Sequence, residues 1–184
     1  MNSEKEVIKA IQEGDHRSFA ILVESYQHML FTLCVNMLKD RERAEELTQD
    51  SFLKAFRNIH SYRGESKFST WIYKIAYHSC LTEMRKNKII KLEVAERDSR
   101  EERDAQHMME EAERKDQVRK AMEGMKEEDR IVLQLFYLQE QSVKEIVEIT
   151  GWTESKVKVK LHRSKARLKN IIEEDYPELY HKIS

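Results

Sequence analysis

From Glu154 to Lys169 the chain reads ESKVKVKLHRSKARLK, with seven basic residues and one acidic, a net charge of +6. A density of this kind suits a polyanion, and the spacing shows how it would be met. Wound at about 100° per residue, Val157, Leu161, Ser164, Leu168 and Ile172 fall on one stripe, the face that must pack on the rest of the fold. Lys156, Lys160, Arg163 and Arg167 line one flank of that stripe, and Lys158, Lys165 and Lys169 the other. Two basic flanks can reach the phosphates on both walls of a duplex major groove. Opposite the stripe lie Ser155, Val159, His162 and Ala166, short or neutral side chains that can press against base edges, with the Val159 methyls suited to a thymine methyl. A solvated Lys-rich helix has the same composition, so the preceding element must decide between the two.

That element is well marked. Ser142 stands three residues before Glu145, a reciprocal capping pair that predicts a helix from about Val143, with Val143, Ile146, Val147 and Thr150 inward. Gly151 can take the positive φ that ends a helix, and Thr153 can cap the next. A short helix, a glycine turn and a longer basic helix make a helix-turn-helix between about Ser142 and Lys169.

A second segment, Tyr62 to Arg85, interleaves Tyr62, Phe68, Trp71, Tyr73 and Tyr77 with Arg63, Lys67, Lys74 and Arg85. Aromatic faces stack on unpaired bases while cations hold the strand, so this composition fits single-stranded nucleic acid. On a helical wheel Trp71, Lys74, His78, Thr82 and Arg85 share one strip. Tyr73 and Tyr77 fall on a face with Met84 and read as core, whereas Phe68 and Trp71 serve equally well as core plugs at a helix start.

The elements that must position these residues are helices. In 184 residues there are four Gly and one Pro, too few for the turns a sheet needs, so the fold class expected is all-α. Helical spacing runs through Val7, Ile8 and Ile11, then Phe19 to Met37 after a stop at Gly14, then from about Asp40 to Phe56, and from about Thr70 to Lys88. His60 to Ser69 reads as a loop. Between Glu93 and Asp116, ten acidic and five basic residues give a net of −5 with no apolar face. The boundaries expected are an N-terminal domain over 1–91, a charged linker over 92–115 and a C-terminal domain over 116–184. The whole-chain balance of 33 basic and 34 acidic residues hides this division.

Some functions are disfavoured. Cys34 and Cys80 lie far apart, with neither a Cys-x-x-Cys nor a histidine at ligand spacing, and read as buried reduced thiols; no metal or cofactor is expected. The carboxylates fall mainly in the linker, not paired beside a histidine, so neither catalytic residues nor an enzyme are expected. No signal core is visible and no stretch approaches a bilayer span, so a cytoplasmic location without membrane insertion is expected. A helix-turn-helix regulator remains an alternative, although nothing in the N-terminal half looks like a ligand-binding or dimerisation domain.

Three segments, AEELTQDSFLKAF (Ala44 to Phe56), FSTWIYKIA (Phe68 to Ala76) and GWTESKVKVKLHRSKARL (Gly151 to Leu168), resemble in order and separation the signature segments of extracytoplasmic-function (ECF) sigma factors. The resemblance covers nearly the whole chain. It implies a four-helix sigma-2 domain and a sigma-4 helix-turn-helix domain, with core RNA polymerase and promoter DNA as partners and no enzyme activity. On the polymerase, the contacts implied are the β′ clamp helices and the β flap. Glu45, Gln49, Asp50 and Lys54 match the helix that meets the clamp helices. Arg63, Lys67, Phe68, Trp71, Lys74, His78, Thr82 and Arg85 match the part that opens the minus-ten element and captures flipped bases. Ser155, Lys156, Lys158, Val159, Lys160, His162, Arg163 and Arg167 match the reader of minus-thirty-five DNA. An anti-sigma factor is a further implied partner. His78 and Thr82 stand where many members have Asn and Asp, and Lys156, Val159 and Lys160 where Thr, Ser and Arg are frequent, so no relative's promoter sequence transfers to this chain.

Overall fold

The Ser3 hydroxyl accepts the Glu6 amide while the Glu6 carboxylate accepts the Ser3 amide, and this reciprocal cap starts α1 (Glu4–Gln12), with Val7, Ile8 and Ile11 buried. Gly14, at φ +109°, turns the chain into a 3-10 turn, His16–Ser18, and then α2 (Phe19–Leu38). Left-handed Lys39 ends α2, and the Asp40 carboxylate accepts the Arg43 amide at 2.9 Å to open α3 (Arg41–Arg57). A second 3-10 turn, Ile59–Ser61, and a loop lead to α4 (Phe68–Glu93). The second half supplies α5 (Glu127–Leu133), a π-helical turn Gln134–Leu138, α6 (Val143–Thr150) and α7 (Glu154–Asp175). The computed structural model describes residues 3–93, 118, 120–122 and 124–175, and among them there is no strand. From residue 94 onward the charged linker expected at 92–115 lies outside the described residues.

The first helices close one core. Leu22, Leu30, Leu33 and Met37 of α2 meet Ala44, Leu47, Phe52 and Ala55 of α3 and Ile72, Tyr73, Ala76 and Tyr77 of α4, all buried. The hydroxyls of Thr48 and Ser51 donate back to the carbonyls of Ala44 and Leu47 at 2.7 and 2.6 Å, so their burial leaves no donor unmet. Cys34 and Cys80 are free and buried, and a hydrogen bond between the two thiols together with burial pushes the Cys80 thiol up. Arg43 fixes α3 to α4 by paired bonds to the Glu83 carboxylate, both at 2.9 Å, and pairs with Glu46 as well.

The two helical groups abut: Ile131, Val132, Leu135, Ile146, Ile149 and Val157 belong to the same continuous apolar cluster as the residues of α1 to α4, with α4 packed against α6. The stretch His16–Leu38, 23 residues, is also long and apolar enough by length and composition for a bilayer span, contrary to the reading from sequence. Its apolar residues have another use. One face enters the core through Leu22, Leu30, Leu33 and Cys34, and the other exposes Glu24, Ser25, Gln27 and His28.

Candidate nucleic-acid interface

The helix-turn-helix is built as its capping residues dictate. The Ser142 amide and hydroxyl donate to the Glu145 carboxylate at 2.8 and 2.6 Å, and the Glu145 amide donates to the Ser142 hydroxyl at 3.3 Å. Gly151 sits at φ +71° and closes α6 by donating to the Val147 carbonyl. Two residues on, the Thr153 hydroxyl accepts the Lys156 amide at 3.2 Å and opens α7. The buried face of α6 is Ile146, Ile149 and Thr150, with Val143 and Val147 half-buried; Ile149 was not among the inward residues expected. Along α7, Val157, Ser164 and Ile172 are buried and Leu161 and Leu168 half-buried, the predicted stripe.

Ser155, Val159, His162 and Ala166 are all exposed, Val159 at 44%. An aliphatic residue left in water at the centre of a polar helix has nothing in the fold to hold it there. The flanks are less uniform than their composition suggests. Lys156 reaches Glu128 at 2.9 Å and lies 4.1 Å from the centre of the Trp152 ring. Lys160 meets Glu128 and Asp129, both at 2.9 Å; hydrogen bonds to Asp129 and Glu128 raise the Lys160 ammonium above its ordinary value, and hydrogen bonds from Lys156 and Lys160 draw Glu128 below its own. Lys158 pairs with Glu154 at 2.6 Å. Arg163 and Arg167 are exposed and make no ion pair among the described residues. Trp152 was legible four residues before Lys156, whereas Glu128 and Asp129 carry no local signal that they would meet α7.

On α4, Lys74, His78, Thr82 and Arg85 are exposed along one strip, and Trp71 is half-buried at its head. Phe68 departs from the sequence expectation: it is fully buried, packed against Tyr26, Tyr62 and Trp71 at ring separations of 5.5–5.6 Å, and here it supports the site without facing solvent. Trp71 lies 5.4 Å from Tyr62 at an interplanar angle of 52°, which leaves an aromatic ledge beside the strip. Arg63, Ser66 and Trp71 line a cavity of about 320 Å³ in the loop before α4. Lys67 is exposed and pairs with Glu145 at 3.0 Å. Burial lowers the His78 imidazole below its ordinary value, with Lys74 and Arg85 adding to the effect.

The family model for Sigma-70 region 2 matches residues 22–89, and that for Sigma-70 region 4 matches residues 115–168. Over 162 residues the chain is 32% identical to the RNA polymerase sigma factor YlaC of Bacillus subtilis, an alignment that takes in 84% of this chain and 92% of YlaC. This chain belongs to the ECF-type sigma factors of the sigma-70 family. It is also 38% identical over 84 residues to the ECF sigma factor SigW of the same organism, over 46% of this chain and 45% of SigW. The chain thus spans under half the length of the first curated relatives it matches, and nearly all of YlaC. Among solved structures, the sigma factor RpoE in complex with the anti-sigma factor NepR from Bartonella quintana shares the fold, at a TM-score of 0.73 and 19% identity over 86% of this chain and 99% of RpoE. With both sigma regions matched, the alternative of a regulator without sigma activity is not favoured.

In this sigma factor α3 bears the four polymerase-facing candidates. Glu45, Gln49 and Asp50 are exposed beside Leu53, itself 51% exposed. Lys54 is turned aside from them, its ammonium donating to the Ser79 hydroxyl of α4 at 2.9 Å.

Proposed function

We propose that this chain is a transcription-initiation sigma factor that binds core RNA polymerase, reads a duplex promoter element with α7 and holds the melted strand along α4. The observation that carries the reading is the exposed, neutral face of Ser155, Val159 and His162 set between basic flanks on a capped helix-turn-helix, in one chain with the exposed cation strip beside Trp71. Within it, Lys156, Lys158, Lys160, Arg163 and Arg167 position α7 on phosphates. Arg63, Lys67, Lys74, His78, Thr82 and Arg85 hold the strand on which Trp71 stacks. Glu45, Gln49, Asp50 and Lys54 meet the β′ clamp helices. The divisions 1–91, 92–115 and 116–184 follow these tasks, and the site of action is the cytoplasm. The anti-sigma partner named for RpoE supports a similar partner here, of unspecified identity. Run-off transcription with core polymerase over a promoter library tests the whole reading. A chain that neither co-elutes with core polymerase nor directs transcripts would overturn it.

His78 gives this proposal a pH signature. Its imidazole is held below the ordinary value by partial desolvation and by Lys74 and Arg85, which favours the neutral form. A strand phosphate placed against it favours the charged form, and binding then takes up a proton. Affinity of the polymerase complex for a labelled single-stranded promoter oligonucleotide is expected to rise about two- to three-fold as pH falls from about 7.5 to about 6. Fluorescence anisotropy checks this, and H78A should flatten the dependence. An equal rise in H78A removes His78 from the strand site.

A further inference from the structure

The last residue of α1 reaches across the fold to the loop before α4. The Gln12 side-chain amide donates to the Ile59 carbonyl at 2.8 Å and to the Tyr62 carbonyl at 3.0 Å, across 47 and 50 residues of chain. These two carbonyls bracket the 3-10 turn Ile59–Ser61. The two ends of the turn are held differently. Ile59 is buried in the core, and its carbonyl also accepts the Tyr62 amide at 3.1 Å. At the other end the chain leaves the turn with Tyr62 extended, at φ −74° and ψ 112°, and among the described residues Gln12 is the sole donor to its carbonyl.

Tyr62 joins this loop to the aromatic ledge. Its ring lies 5.4 Å from Trp71 and 5.6 Å from Phe68, and its hydroxyl donates to the Ser66 carbonyl at 2.7 Å, so the exposed Arg63 stands between two fixed points of one short loop. The first turn of α1 reaches the same cluster, because Tyr26, whose ring packs 5.5 Å from Phe68, donates its hydroxyl to Glu4. Gln12 is half-buried and lies off the exposed strip of α4, so it can act on a strand only through the loop it holds. A side-chain amide has two donors, and two carbonyls at the ends of one turn are what such a group can join.

We propose that Gln12 is a positioning residue for the melted strand: its amide fixes the Tyr62 backbone at the end of the 3-10 turn, and so sets the Tyr62 ring against Trp71 and Arg63 beside the ledge before a strand arrives. The inference rests on the strand-site reading above and adds to it a residue of α1. With the amide removed, ordering Tyr62 becomes a cost of the binding step, so strand affinity falls while the reading face of α7 is untouched.

The test uses the complex of the full chain with core polymerase. Gln12→Met keeps the length and helix propensity of the side chain without its donors. By anisotropy with a labelled oligothymidine, Q12M is expected to bind about five-fold more weakly, with gel-shift binding of closed duplex within about two-fold of the parent. Ile11, the buried neighbour of Gln12 on α1, supplies the control for stability. I11V should lower the melting temperature without touching the amide, and keep oligothymidine affinity within about two-fold of the parent. Tyr62→Leu retains bulk but neither a flat ring nor a hydroxyl, so Q12M should add nothing to Y62L and its full effect to Lys74→Ala, which lies on α4 and not on the loop. Parental affinity in Q12M while W71A loses binding overturns the positioning role and leaves the strand site standing. An equal loss in I11V, or full additivity with Y62L, reduces Gln12 to a support of stability and overturns it as well. Parental affinity in both Q12M and W71A defeats the strand reading together with this one.

Discussion

Replacing Val159 by Glu is expected to leave the protein folded and to lower transcription from a cognate promoter by about a hundred-fold. The position is 44% exposed on the side of α7 opposite its core stripe, and glutamate is a better helix former than valine, so the fold has no reason to suffer. In the groove the result is different. A carboxylate at the centre of the reading face meets base edges and phosphates without a partner, losing a contact worth about 1–3 kcal/mol and adding a desolvated charge. Together these amount to about 3 kcal/mol, hence the hundred-fold. Run-off transcription with core polymerase, beside a thermal melt of the free protein, checks both halves. V159T keeps a methyl and should stay within about three-fold of the parent. Full transcription by V159E would remove Val159 from the reading face.

Trp71→Ala carries the second large effect, at a different step. The ring rests on Tyr62 and Phe68, at 5.4 and 5.6 Å, with part of its surface exposed at the head of the cation strip. Its loss removes a stacking surface worth about 1–3 kcal/mol per base and is expected to slow open-complex formation by about thirty-fold, with binding to closed duplex nearly unchanged. Permanganate footprinting for opening and gel shift for closed binding separate the two steps. W71F should recover most of the rate because a flat ring remains. If W71A opens promoters normally, or W71F fails as badly as W71A, the ring serves packing alone.

Local signals in the sequence revealed what local physics controls. The Ser142 and Glu145 cap, the Gly151 turn and the stripe from Val157 to Ile172 were all readable, because each depends on residues within about one or two helical turns. Tyr73 and Tyr77 read as core by periodicity and are core. Phe68 was ambiguous because an aromatic at a helix start can face either way, and only the rings of Tyr26, Tyr62 and Trp71 around it decide. The union of the two helical groups had no local signature. Lys67 with Glu145 and Ser66 with Glu148 are partners drawn from distant stretches of chain, and each alone looks like a side chain that water would satisfy. In the sequence, Glu24, Gln27 and His28, which α2 exposes on its outer face, interrupt the apolar stretch His16–Leu38 and mask its length.

The pairing of lysines around α7 changes how much ionic atmosphere the helix can displace. Of its seven basic residues between Glu154 and Lys169, Lys156, Lys158, Lys160 and Lys169 are each engaged by a carboxylate of Glu128, Asp129, Glu154 or Glu173. Arg163, Lys165 and Arg167 remain without an ion pair among the described residues. Each phosphate neutralised on duplex DNA releases about 0.9 of a condensed counterion, so the three unpaired cations account for about three, and the paired lysines add theirs only by leaving their carboxylates. Under the proposed reading, non-specific grip on DNA is correspondingly slight: a promoter would be held at this end by the fit of a few short side chains, and the chain would leave wrong sequences quickly without surrendering the contacts that identify the right one.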